Sequence, residues 1–471
     1  MPTFVELWHT GNHYTMRYLR NNTLSTTLCA LTCLLPAQLY SEPLTRSSPA
    51  LVQPLAAIPG VVGFGSKTIG GSGRHRSPAA TRVVRVRSLA DSGRGTLREC
   101  LSMRIPRTCI FDVSGEIRLR SMLSIRSPFI TIAGQTAPSP GVTITNGGIK
   151  VQTHNVVIQH LAIRPGDSRN GPKAIDRDAI AIGAAAPRSA HHVVLDHLSL
   201  TWAVDENAST WSPTTHHVTI SNSLIAEGLQ NSIHPKGPHS KGLLIGNGSR
   251  FITVALNALA FNDERNPYLK PGSSTEFVNN FVYGWGSTGG WSLCNVSDND
   301  GSNVGLQLSF MGNVYTPGPE SACSTLLYAK PLATSSLVFE SGNVWGGPPA
   351  ARTDVSNFST SLLAVTRPAE TVSGRTIMSA DAAIGHILAH VGSRPAERSP
   401  IDQRILGLVT TGQGTLKDCI TRCVRNTSPV PRYRGRRRPF IIPRFPMRQA
   451  QPGGYTALER ALHRRAAQLE S

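Results

Sequence analysis

Two acidic groups stand out in this 471-residue chain, in which only 16% of residues are charged. Asp176-Arg-Asp178 precedes the apolar run Ala179-Ile-Ala-Ile, and Asp205-Glu206 follows the run ending at Trp202. Residues two apart on a strand or tight turn point the same way, so Asp176 and Asp178 are expected to converge. Carboxylates gathered so closely need a cation, and an all-oxygen donor set favours calcium. A DxD alone is ordinarily a surface turn; a second acidic pair nearby is what raises the metal reading. Four basic residues come after them in the chain. Lys236 and Lys241 lie in His234-Pro-Lys236-Gly-Pro-His239-Ser-Lys241, and Arg265 and Lys270 in Arg265-Asn-Pro-Tyr-Leu-Lys270. Each taken singly reads as a solvated loop cation. Placed beside the acidic group, they make a charged cleft for a polyanion.

The elements that must hold these residues are short and β-like. From about residue 129 the chain falls into apolar runs broken by turns, with a polar residue recurring at His160, His197, Asn222, Asn257, Asn280, Asn313 and Asn343. The gaps are 37, 25, 35, 23, 33 and 30 residues. That spacing, with two or three strands in each interval, fits one coil of a solenoid whose coils bury their apolar faces only by stacking. Alternation turns valine, isoleucine and leucine inward. An asparagine at each corner is expected in the left-handed conformation, bonded to its equivalent in the next coil. Uneven gaps mean loops of unequal length along one edge, where a cleft can form. The fold class expected is all-β, a right-handed single-stranded parallel β-helix with an irregular C-terminal extension. Tight Asn-Gly hairpins at regular spacing, which a β-sandwich would want, are scarce.

Composition sets the limits. Glycine (43) and proline (33) are abundant while charge is sparse, which argues against coiled coils and long helical bundles. No apolar run reaches the length of a membrane span, so stable insertion is not expected. Lys and Arg exceed Asp and Glu by 47 to 28, a net +19 that suits a polyanionic partner. From Thr421 to Ser471 twelve arginines face Glu459 and Glu470, and this tail reads as solvated, without a nucleic-acid motif. Residues 1–41 read as an export signal with a misplaced start: Met16-Arg-Tyr-Leu-Arg20 is the charged part and 24–35 the apolar part. Residues 42–350 are then the β-helix, 351–425 a segment packing on it, and 426–471 a flexible basic tail. Within the tail, the stretch from Thr456 to Arg465 has the pattern of a short amphipathic helix. Export leaves six cysteines, and proximity suggests the pairs 100–109, 294–323 and 419–423 among fifteen connectivities.

Motifs in fixed order then carry a resemblance. They are Gly63-Phe-Gly65 with glycines to Gly73, Asp91-Ser-Gly-Arg-Gly-Thr-Leu-Arg98-Glu99, Phe111-Asp-Val-Ser-Gly115 and Ile132-Ala-Gly-Gln-Thr-Ala-Pro138. Ile163-Arg-Pro-Gly-Asp167, Leu195-Asp-His197, Trp202-Ala-Val-Asp-Glu206 and Arg265-Asn-Pro267 complete the series. The region from about Gly63 to Trp345 resembles bacterial pectate lyases of polysaccharide lyase family one. The resemblance implies a calcium-dependent enzyme that breaks α-1,4-polygalacturonate by β-elimination to unsaturated oligogalacturonides; with the export signal, a secreted monomer is expected. The resemblance also implies Asp176, Asp178, Asp205 and Glu206 as calcium ligands, Arg265 as the catalytic arginine, and Lys241 and Lys270 as substrate-binding residues, to which the charged cleft adds Lys236. Two departures stand out. The family's better-known members place the second acidic pair four residues apart, and they carry an arginine where Lys270 stands here, so the bidentate fork is lost.

Rival readings share the solenoid. A uronan hydrolase would use Asp176, Asp178 and Asp205 for water activation and proton donation, leaving the cations without a task. A pectin methylesterase finds a faint echo in Gln135. A non-catalytic glycan-binding β-helix or adhesin would bind without turnover, and a nucleic-acid binder rests on the arginine tail alone. His197 sits at the repeating corner, which favours a structural role over an acid–base one. Trp202 and Trp285 fit either sugar stacking or packing.

Overall fold

A computed structural model describes residues 55–286, 304–321, 335–346, 376–420, 430 and 439–471, less 77, 247 and 452–453, with the backbone of short strands at 294–296, 327–329 and 353–354. The 1–41 segment, Cys323, Cys423 and the Cys294 side chain lie outside the described residues. Three parallel sheets of ten, eight and ten strands run along the chain, each strand pairing with the one a coil earlier and a coil later. This is a parallel β-helix. The exception within the described strands is Thr353–Asp354, which pairs antiparallel to Val344–Trp345.

Stacking in register explains why the apolar runs repeat. In the first sheet Ile132, Ile158, Leu195, Ile220, Val254, Phe277 and Phe310 occupy one row, strand to strand. All seven are fully buried. Burying each is worth about 1.5–3 kcal/mol, which no single coil obtains alone. Two strands of this sheet, Ala190–Asp196 and Thr215–Ser221, are the longest of those described, at seven residues each.

The corner ladder differs from expectation by one residue. His160, His197 and Asn222 do take left-handed φ (55°, 51° and 48°), but beyond them the left-handed residue is Leu256, Asn279, Gly312 and Gly342. The asparagine is the next residue along. Asn257, Asn280, Asn313 and Asn343 form an inward column in which each Nδ2 donates to the next Oδ1, at 3.0, 3.1 and 2.8 Å. The backbone N–H of 257, 280 and 313 also donates to the Oδ1 of the next coil's asparagine. The conformation and the ladder are thus two adjacent positions, which residue type alone merges into one. His197 is structural: its ring stacks on His160 with centroids 5.0 Å apart, and its Nδ1 lies 2.8 Å from Asp196. Gln135 likewise joins a buried chain through Gln159 to Asp196.

The glycines from Gly63 to Gly73 let backbone lie on the outer face of the first sheet. Gly65 and Gly71 donate N–H bonds to Thr219 and Thr131, and a Cβ on Gly71 would sit 1.9 Å from the Arg107 carbonyl. Near this end, a Cys100–Cys109 disulfide ties helix α1 (Leu97–Ser102) to the strand Arg107–Phe111. Cys419 is also disulfide-bonded.

Helices α2 (Ala380–His390) and α3 (Pro400–Thr410) cover the third sheet, with Ile387, Ile405 and Val409 against Trp202, Leu224 and Phe261. Buried Arg164 bonds Asp402 at 2.8 Å. Within the basic end, residues Ala457–Glu470 form a helix docked on the first sheet. Helix α4 (Ala457–Glu470) starts in a capping box between Thr456 and Glu459, and Leu458 and Leu462 pack against Ile110 and Ala133. Its apolar stripe docks the helix, Arg465 adds a bond to the Gln135 carbonyl, and Arg464 is exposed. Arg432 to Arg438 lie outside the described residues. Both tryptophans are packing residues: Trp202 donates to Glu227 at 2.8 Å, and Trp285 is buried beside Tyr315 and Trp345.

Candidate active site

Four coils deliver one charged residue each to the edge of the eight-stranded sheet. Strands Ile180–Ile182, Glu206–Thr210 and Lys241–Ile245 pair in sequence, with Glu206 opposite Lys241. The register of Ile180 with Ala208, carried two residues back, sets Asp178 opposite Glu206, and the Ala179 amide donates to the Glu206 carbonyl. A further bridge sets Lys241 opposite Glu264. The row therefore reads Asp178, Glu206, Lys241, Glu264. Lys241 closes an ion pair with Glu264 at 2.9 Å.

Asp178, Asp205 and Glu206 converge, each offering an oxygen within 4.8 Å of the others. Asp178 is buried and accepts a 2.6 Å bond from Ser209. Burial, with the charge of Asp205 beside it, pushes its carboxyl up to about 7. The charge of Lys150 and the Ser209 hydrogen bond pull the other way without offsetting burial. The donors are all oxygen and the cluster is partly enclosed, which suits a hard divalent ion.

Arg265 arrives from two coils further on. Its φ is 64°, and its guanidinium donates to Oε1 of Glu206. Its Cζ lies 5.4 Å from the centre of the Tyr268 ring, while Lys270 Nζ lies 5.8 Å from the same ring. Burial lowers the Arg265 pKa below its ordinary value, against the pull of Asp205, Tyr268 and Asp178.

Two expected members stand apart. Residues 174–176 form a single 3-10 turn, so Asp176 and Asp178 diverge where a strand would have aligned them. Asp176 is exposed and its nearest cation is Lys150, at 3.8 Å. Arg177 between them is buried, anchoring the loop through the carbonyls of Gly166, Ser168 and Pro172. Lys236 is exposed in the loop before Lys241, its amide bonded to His234 Nδ1.

Sequence reasoning misses four neighbours. His239 Nε2 lies 2.8 Å from Asp205, and the His234 ring stacks on His239 with centroids 3.6 Å apart. Glu264 holds Lys241, and Ser209 occupies the position four residues after Asp205. The histidines share a segment with Lys236 and Lys241, and Glu264 precedes Arg265, but pairing across coils leaves no mark in a linear pattern.

No family model matches the chain. Among curated proteins it is similar to the probable pectate lyase C of Emericella nidulans, 33% identical over 281 residues, covering 59% of this chain and 56% of that protein. The probable pectate lyase C of Aspergillus terreus is 32% identical over 272 residues, covering 58% and 57%. The chain spans little more than half the length of these relatives. They are fungal, which corrects the bacterial affiliation expected from the motifs. Among solved structures, a Bacillus subtilis pectate lyase mutant aligns with a TM-score of 0.52 at 14% identity, covering 72% of this chain and 98% of that one. A pectate lyase described with its substrate specificity and anti β-elimination mechanism aligns at 0.51 with the same identity and coverage. At that identity the likeness shows the fold.

Proposed function

We propose that this protein is a secreted, calcium-dependent pectate lyase that breaks α-1,4-polygalacturonate by β-elimination. The observation that carries the reading is the contact of the Arg265 guanidinium with a carboxylate of the Asp178–Asp205–Glu206 cluster, which puts a half-buried cation and a cation-seeking pocket side by side. The sequence relatives named pectate lyases and the shared fold support it. The disulfide suits an oxidising compartment.

Asp178 and Asp205 would hold calcium, with Glu206 sharing its carboxylate between that ion and Arg265; Asp176 would reach the ion only if the 174–176 turn moved. When bound, calcium draws charge from the substrate C6 carboxylate and so acidifies the C5 proton. Lys241 and Lys270 take neighbouring carboxylates and fix the ring. Lys241 must exchange Glu264 for substrate, which favours chains dense in free carboxylates. Arg265 removes the C5 proton. Burial favours its neutral form, and Glu206 aims the guanidinium. The C5 electrons form the C4–C5 double bond, the C4–O bond breaks, and the leaving oxygen takes a proton from solvent. Lys236, on its exposed loop, meets the polymer further along.

Incubation with polygalacturonate, with and without a calcium chelator, tests the reading. Ultraviolet absorbance from unsaturated product that disappears with chelation is expected. Reducing ends without absorbance would mean hydrolysis instead, and calcium-dependent binding without product a glycan-binding module.

A further inference from the structure

Away from the acidic cleft, the first sheet carries a grid of imidazoles. His191 and His192 enter the strand Ala190–Asp196, and His216 and His217 enter Thr215–Ser221 one coil later. His191 stacks on His216 at 4.7 Å and 3°, and His192 on His217 at 4.9 Å and 2°. His154 continues the first column at 4.7 Å. Within each coil the two rings stand nearly perpendicular, at 78° and 81°, and turn their Nδ1 atoms toward each other. Those atoms are 2.7 Å apart in His191–His192 and 2.8 Å in His216–His217. The left-handed φ of His192 (53°) and His217 (54°) is what swings each second ring against the first. All four residues are half-buried, so the grid is open to solvent.

We infer that this grid is a transition-metal site, in which an adjacent-histidine pair chelates one divalent ion of the copper or nickel class through both Nδ1 atoms. Two nitrogens bound cis at a right angle, each about 2.0–2.1 Å from the metal, are about 2.9 Å apart. In N–N distance the observed pairs need open by only a tenth or two of an ångström, and each ring turns so that its Nδ1 lone pair points to the ion instead of the other nitrogen. A tetrahedral zinc ion would spread the same nitrogens to about 3.4 Å. Tetragonal nitrogen coordination therefore selects copper(II) first and nickel(II) second. Each Nδ1–Nδ1 contact holds one proton between two neutral rings. On metal binding that proton moves to Nε2 of its own ring, so no net charge is released. The rings are ready as ligands at neutral pH, because burial and mutual repulsion hold all four below the ordinary histidine value, His191 at about 4. The stacked pairs lie too close for two dications in low dielectric, so one ion per grid is expected. Arg250, opposite His216 on the next strand, opposes binding and favours the His191–His192 rung.

Copper(II) chloride alone is titrated into the full chain at neutral pH, followed by calorimetry and electron paramagnetic resonance. One ion per chain with hyperfine coupling to at least two imidazole nitrogens is expected, with nickel weaker than copper and zinc weakest. The variant His192→Asn/His217→Asn keeps residues that tolerate left-handed φ and should weaken copper binding about 10-fold or more. His234→Ala should leave it unchanged. The inference fails if copper shows fewer than two nitrogen couplings, if zinc binds best, or if the double variant binds copper as well as the parent. The nitrogen count is read on the parent protein, so it stands even where a variant misfolds. Lyase activity plays no part in any outcome.

Discussion

Arg265 donates a hydrogen bond to Glu206, a residue 59 positions earlier in the chain, and thereby ties the cation of one coil to the carboxylates of two coils before it. Glu206 is buried, and Arg265 supplies a counter-charge to it.

Replacing Arg265 with alanine is expected to reduce kcat roughly 10²–10⁴-fold, the range of a positioned proton acceptor. Calcium binding by calorimetry should stay equal or tighten, because Glu206 loses its competing partner. Arg265→Lys retains charge but not the fork, and should recover little turnover. Full activity in the alanine variant would remove Arg265 from the chemistry.

Asp178 must be ionised to hold a cation, and its carboxyl is raised to about 7 by burial and by Asp205. Below that pH calcium must displace a proton, so affinity should fall as pH drops through 7 and level off above it. Ser209→Ala deletes the hydrogen bond that favours the ionised form and should move the break to higher pH. Calcium titrations from pH 5.5 to 9 read both effects. A flat affinity across that range contradicts the protonation.

The asparagine column predicts a stability cost. Asn313 accepts from Asn280 and donates to Asn343 Oδ1 and the Phe277 carbonyl, all in the interior. Truncation to alanine strands at least two buried groups at about 1–3 kcal/mol each, a total near 3 kcal/mol. Denaturant midpoints measure it. A loss below about 1 kcal/mol (the net worth of one ordinary hydrogen bond) would mean that water replaces the side chain.

His197 and Asp196 predict a pH window. Burial opposes charge on both, but their mutual attraction and hydrogen bond win, raising the histidine and holding the aspartate below the usual carboxylate range. The histidine contribution is complete below its unfolded value of about 6.5 and is lost as pH rises through its raised folded value. The aspartate contribution is complete above about 4 and is lost in stronger acid. His197→Asn should therefore cost more Tm at pH 5.5 than at pH 9. An equal cost at both would show that the pair is held by stacking on His160 alone.

Much of the architecture is legible in the chain because a solenoid writes itself locally. Val, Ile and Leu recur at coil spacing since every coil must present the same apolar row to its neighbours, so rows such as Ile158, Leu195 and Ile220 are visible as periodicity. The acidic pair at 205–206 and the cations at 241, 265 and 270 are visible as residue types at the breaks between apolar runs, although Glu206 and Lys241 each begin a strand. Asp176 escapes that reading because strand alternation does not hold across a 3-10 turn. The basic end looks flexible when its charge is weighed before the spacing of Leu458, Leu462 and Leu469, which is what docks the helix.

What residue order determined is the repeat and the kinds of group that face its edge, because both depend on interactions a few residues apart. Which groups meet was decided by stacking. Glu206 opposes Lys241, Lys241 chooses Glu264, Ser209 reaches Asp178 and His239 reaches Asp205 only once coil lengths of 23 to 37 residues are closed into register. Stacking of the apolar rows fixes that register while loops of unequal length bulge outside it, so the partners follow from which strands stack and not from any motif.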